Sequence, residues 1–173
     1  EQTKENRLLC SKALRALDEM KQEFSGNMGV VFDATIAESR TYQAVEDDNK
    51  ARSSADKAEG ILARIKEPTG EQQLTMTEVY IDTGQSEKAV NMVQTMKDQG
   101  VASKLLQRLG AIEERLSNIN AREKSAELNE KGVAHYERGE LKEAIAASKA
   151  ANKKLQKKML CMKVNEKPVT SHQ

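Results

Sequence analysis

The chain has no tryptophan, two prolines, two cysteines and 3% aromatic residues among its 173 positions. Each shortage excludes something. So few rings leave a core of Leu, Ile, Val, Met and Ala, sparse and modest in stability. With so little proline, long stretches are free to be helical. The longest apolar runs are far too short to cross a bilayer, and no stretch reads as a secretory signal. The formal net charge is +1, so no global field draws the chain to nucleic acid or to an anionic membrane. Cys10 and Cys161 form no Cys-x-x-Cys pair. They read as two free thiols in a reducing, cytoplasmic compartment, with a disulfide between them as the alternative. His135 and His172 offer no metal-ligand spacing. No Gly-rich phosphate loop, nucleophile elbow or His-Glu-x-x-His motif is present. The expectation is a chain without catalysis, cofactor or metal.

Helix formers are what the sequence does have: Ala, Lys, Glu, Leu and Gln are abundant. No segment alternates apolar and polar residues, so the expected fold class is all-α, with eight or nine helices. Residues 1–26 predict one helix over Asn6–Phe24, with Leu9, Ala13, Ala16, Leu17, Met20 and Phe24 on a single stripe and Gly26 as a left-handed cap. Residues 30–67 predict a helix pair around Glu46-Asp47-Asp48-Asn49. Phe32, Ile36, Ser39 and Tyr42 are spaced for burial on its first helix, and Ala51, Ala55, Ala58 and Leu62 on its second. Residues 71–99 predict another pair, broken at Thr83-Gly84-Gln85-Ser86. Residues 101–121, holding Leu105, Leu106, Leu109, Ile112 and Leu116, read as one or two irregular helices. Residues 122–156 predict a last pair, broken at Arg138-Gly139-Glu140. In it Gly132 permits close helix approach, and Leu141, Ala144, Ile145, Ser148, Ala151 and Leu155 share a face. Residues 157–173 read as a basic, frayed tail. The chain opens Glu1-Gln2 inside a helical pattern, so it reads as a fragment of a larger protein.

Tyr80, Gly84, Ala89 and Val93, and again Gly132, Gly139 and Ala144, are spaced as in a tetratricopeptide repeat (TPR), which this chain resembles. Ala51 takes the small-residue position of that motif, and Glu46 stands where its turn glycine would be. Ala51 and Ala89 are 38 positions apart, near the ~34 of this repeat class. Ala89 and Ala144 are 55 apart, and the excess falls in 101–121. The resemblance implies a TPR-like α-solenoid, a short right-handed superhelix of antiparallel pairs, because one pair cannot bury its apolar face alone. Over Thr75–Leu155 the order is Gly84-Gln85-Ser86-Glu87-Lys88-Ala89, a helical spacer, then Glu127-Leu128-Asn129, Gly132-Val133, Gly139, Leu141 and Glu143-Ala144-Ile145. That order looks like the C-terminal part of bacterial response regulators that join a CheY-like receiver to tetratricopeptide repeats. It implies the output or adaptor domain of a two-component system, docking a partner under a phosphorelay acting elsewhere.

Binding in such repeats uses the concave wall lined by the first helix of each pair. The resemblance therefore implies partner contacts at Asp33, Ile36, Arg40 and Gln43, at Leu74, Glu78, Ile81 and Asp82, and at Asn129, Val133, Tyr136 and Glu137. A carboxylate clamp needs several Lys, Arg and Asn converging, and these positions supply only Arg40 and Asn129 among mixed acids, so no carboxylate clamp is expected. His135 reads as inter-helix packing, and the lysines of 149–167 as a solvated helix end. The expected function is a non-catalytic protein–protein interaction scaffold. It takes a protein or peptide in the groove and binds no nucleic acid or membrane. The alternative is a structural homo-oligomerisation module, such as a homodimer built on apolar faces left bare at the two ends.

Overall fold

A computed structural model describes residues 4–165, with side chains over 5–153. The described residues form seven α-helices, one 3-10 turn and no strand. They are α1 (Lys4–Glu23), α2 (Met28–Ala44), α3 (Asp48–Leu62), α4 (Gly70–Asp82), α5 (Ser86–Gln99), the turn Ser103–Leu105, α6 (Leu106–Glu137) and α7 (Leu141–Asn165). The chain divides into two compact units, Glu1–Leu116 and Ser117–Gln173, and the division falls inside α6.

In the first unit the helices start where polar side chains satisfy free backbone N–H groups. Asn27 accepts from Gly29 and Val30 to open α2, and Asp47 accepts from Lys50 to open α3. Thr69 and Gln72 form a reciprocal capping box at α4. α2 packs on α1, α3 and α4, and α4 packs on α3 and α5. The core is Phe32 and Ile36 of α2, Ala51, Ala55 and Ala58 of α3, Leu74, Met76, Val79 and Tyr80 of α4, and Ala89, Val93 and Met96 of α5. Leu105, Leu109, Ile112 and Leu116 complete it. Small residues bring α2 and α3 close: buried Ser39 donates its hydroxyl to the Ala51 carbonyl at 2.7 Å.

Three helix breaks share one geometry. Glu46, Gly84 and Gly139 have φ of 58°, 70° and 78°. In each, the residue's N–H donates to the carbonyl three positions back, on Gln43, Ile81 or Tyr136. The next N–H reaches five back, to Tyr42, Tyr80 or His135. Five residues after each break stands a buried alanine: Ala51, Ala89 or Ala144. This is the left-handed helix ending that glycine favours, and Glu46 adopts it without being glycine. Gly26 has no positive φ, so the left-handed cap expected there is not formed; Gly100, at the end of α5, has φ 82°.

The second unit holds the later part of α6 and α7. Ser125 donates to the Ala151 carbonyl at 3.5 Å, and a Cβ on Gly132 would lie 3.4 Å from the Ala144 carbonyl and 3.2 Å from Ser148 Oγ. Rising numbers on α6 meet falling numbers on α7, so the two run antiparallel.

Several expectations differ from this arrangement. α6 runs unbroken through Ala121 and Arg122, where the last pair was expected to begin, because no Gly or Pro interrupts 111–131. Leu9, Met20 and Phe24 on the α1 stripe are exposed, as is Leu106. α7 continues through residues 157–165 of the expected tail, and residues 166–173, with His172, lie outside the described residues. So do the side chains of Leu155 and Cys161; Cys10 is a free thiol.

Candidate functional site

The first unit satisfies most of its candidate residues internally. Ile36, Leu74 and Ile81 are buried, at 3%, 0% and 7% exposure. They hold the helices together and do not face a partner. Their helical spacing suits either role, and the neighbouring helices decide it. The charged candidates form ion pairs across three helices. Arg40 of α2 lies 3.4 Å from Glu78 of α4. Arg108 of α6 donates to Glu78 at 2.9 and 3.1 Å and to Glu71 at 2.5 Å. Arg115 donates to Asp82 at 2.6 Å. The hydrogen bond to Glu78 offsets burial and holds the Arg108 guanidinium above its usual range. Position 108 meets 71 and 78, and 115 meets 82, so the start of α6 runs parallel to α4 within this unit. Asp33 is exposed on α2, yet partial burial pushes its carboxyl up. Gln43 lines a polar cleft of about 400 Å³ with Asp48, Arg52 and Asp82. The arginine partners were not legible in sequence: they lie 30 or more positions away, and only the packing of α6 brings them near.

The second unit brings three candidates together. Asn129, Val133 and Tyr136 line a groove of about 650 Å³ between α6 and α7, and Glu137 does not. Its floor is small: Gly132, Ala144 and Ser148. Its walls are large and apolar. Val133, Tyr136, Leu141 and Ile145 are 58%, 68%, 58% and 55% exposed. Leu141 and Ile145 were expected under a neighbouring helix and are open instead. Lys149 and Asn152 line the same groove, where the sequence suggested only a solvated helix end. Their i,i+3 spacing on α7 is the signal that places them on one face.

Beyond one end of the groove, a polar cluster locks the turn. His135 Nδ1 lies 2.5 Å from Glu140, and Arg138 donates to Glu140 at 3.1 Å. Hydrogen bonds from Arg138 and then His135 hold the Glu140 carboxyl below its usual range. His135 is thus a hydrogen-bonding partner at a turn.

Among the described residues, no group of His, Cys, Asp and Glu is placed to hold a metal ion. No described helix is long and apolar enough to cross a membrane. Comparison with known families, with characterised proteins and with solved structures gives no match.

Proposed function

We propose that the chain is a non-catalytic protein-binding scaffold of tetratricopeptide-like helix pairs, and that the α6–α7 groove takes a segment of another protein. One observation carries the reading: Val133, Tyr136, Leu141 and Ile145 are adjacent across two helices, and each is more than half exposed. A contiguous apolar patch rimmed by polar groups marks an interaction surface in a water-soluble fold. The groove has the volume of clefts that hold ligands, and a floor of small residues lets an incoming side chain sit deep. The shared geometry at Glu46, Gly84 and Gly139 supports the repeat reading and, with it, a short right-handed superhelix. The narrower proposal is an adaptor domain of a bacterial two-component response regulator. It rests on the sequence resemblance over Thr75–Leu155 and predicts a receiver domain in the complete gene.

Selection from a random-peptide display library checks the groove. Wild type should enrich peptides rich in large apolar residues, and the exposed double change Tyr136→Ser with Ile145→Ser should abolish that enrichment. Equal enrichment by both proteins would remove the groove from the binding surface.

A second reading has its own observation. Leu9 and Met20 on α1, with Phe24 just past its end, are also exposed, at 56%, 39% and 45%. Such a stripe can pair two copies of the chain. Sedimentation should then show a dimer that Leu9→Glu dissociates; a monomer at high concentration rejects it.

A further inference from the structure

We infer that the occupant of the α6–α7 groove is an acidic segment, with apolar residues toward the turn and a run of Asp or Glu toward the far end. The inference rests on the groove reading above and adds the charge and polarity of the partner. The antiparallel register sets the argument. Ser125 meets Ala151 and Gly132 meets Ala144, so Asn129 stands level with Ala147 on α7, beside Ser148 and Lys149. Lys149 and Asn152 line the groove at that level, one turn apart on α7. The groove therefore grades from four apolar side chains near Gly139 to one ammonium and two amides at its other end. No acidic residue lines it. Among the described residues, Lys149 has no ion-pair partner. By contrast Lys88 and Arg108 of the first unit are each held by two carboxylates.

The sequence extends the same bias. From Ala144 to Asn165 α7 contains six lysines and no acidic residue. A single carboxylate would answer Lys149 alone; a helix so one-sided in charge complements a run of acids. Carboxylates also accept from amide N–H groups, which gives Asn129 and Asn152 a role beside the ammonium. The length agrees. Leu141 to Asn152 spans roughly 16 Å of helix at 1.5 Å per residue, room for about five residues of extended chain.

The same display selection decides the point when the enriched peptides are read for charge as well as apolarity. Wild type should enrich Asp and Glu next to the apolar residues. Lys149→Glu, a change at an exposed position, should lose the acids, keep the apolar residues and bind the wild-type winners roughly ten-fold or more weakly, as loss of a charge-assisted hydrogen bond predicts. Lys142→Glu, outside the groove lining, should bind them nearly as wild type does. Apolar enrichment without acids overturns the charge inference and leaves the groove standing. No enrichment at all overturns both. Lys149-dependent co-sedimentation with phosphatidylserine vesicles, without acidic peptide enrichment, would assign the surface to a membrane and overturn it too.

Discussion

At the scale of single residues, the clearest handle is the left-handed turn. Three positions adopt it, and only Glu46 does so with a side chain. A non-glycine residue there costs about 1–2 kcal/mol in backbone strain, while glycine costs roughly 0.5–1 kcal/mol in unfolded-state entropy. The difference sets opposite signs for two changes. Glu46→Gly should raise stability by about 0.5–1 kcal/mol, and Gly84→Glu should lower it by a similar or larger amount. A Cβ at Gly84 meets nothing nearer than Arg52 Nη2 at 3.5 Å, so the cost there is conformational and not steric. Urea unfolding followed by circular dichroism measures both. If Glu46→Gly destabilises, the strain argument fails.

At the scale of elements, what was legible in the sequence was whatever local chemistry decides. Gly84, Gly139, Ala89 and Ala144 marked two breaks and two close contacts because glycine permits positive φ and alanine permits approach. Glu46 was placed by counting, since no local signal betrays it. The unbroken α6 was missed for the converse reason: repeat arithmetic asked for a boundary near Arg122, but nothing there can end a helix. The spacing of Ile36 already pointed to burial, although the repeat position also placed it in the groove; burial of Leu74 and Ile81 and the arginine pairs of α6 depend on distant neighbours and could not be read locally. In the groove, Asn129, Val133 and Tyr136 were found because they follow the repeat position; Lys149 and Asn152 belong to the second helix, where no site was sought. The helix starts make a pH prediction. Hydrogen bonds from the Lys50 side chain and then its backbone hold Asp47 below its usual range at the start of α3. A carboxyl lowered by folding stabilises above its unfolded value of about 3.9, and that contribution is lost as pH falls through the folded value. Asp33 has the opposite sign: burial raises it, so its charge opposes folding at neutral pH and the penalty vanishes in acid. Asp33→Asn should therefore raise the urea midpoint at about pH 7 and leave it little changed near pH 3. Asp47→Asn, which still accepts the cap hydrogen bond, should flatten the acid limb of the wild-type profile. No gain from Asp33→Asn at neutral pH would sink the first of these.

At the scale of the whole molecule, the two units differ in what they bury. The first encloses Tyr80, Phe32, Leu74, Met76 and Val79 almost completely. In the second, the buried residues among those described are Ser125, Gly132, Ala144 and Ala151, all small, while Ile119 and Leu128 are only half-buried and Val133, Tyr136, Leu141 and Ile145 stand in water. A buried leucine-sized side chain contributes about 1.5–3 kcal/mol, and the second unit lacks that contribution from its own described residues. Local opening should therefore cost less there. Amides over 141–153 should exchange at least ten-fold faster than those of α2 and α4. An occupant that covers Val133, Tyr136, Leu141 and Ile145 supplies the missing apolar contact, so binding and protection are linked through mass action. Hydrogen exchange on the full chain, with and without a peptide selected as above, reads both effects. Added peptide should slow exchange in α7 and leave α4 unchanged. Equal protection of α7 and α4 without peptide would show that the hairpin is stable on its own, and the groove would then be a surface depression with no energetic call for a partner.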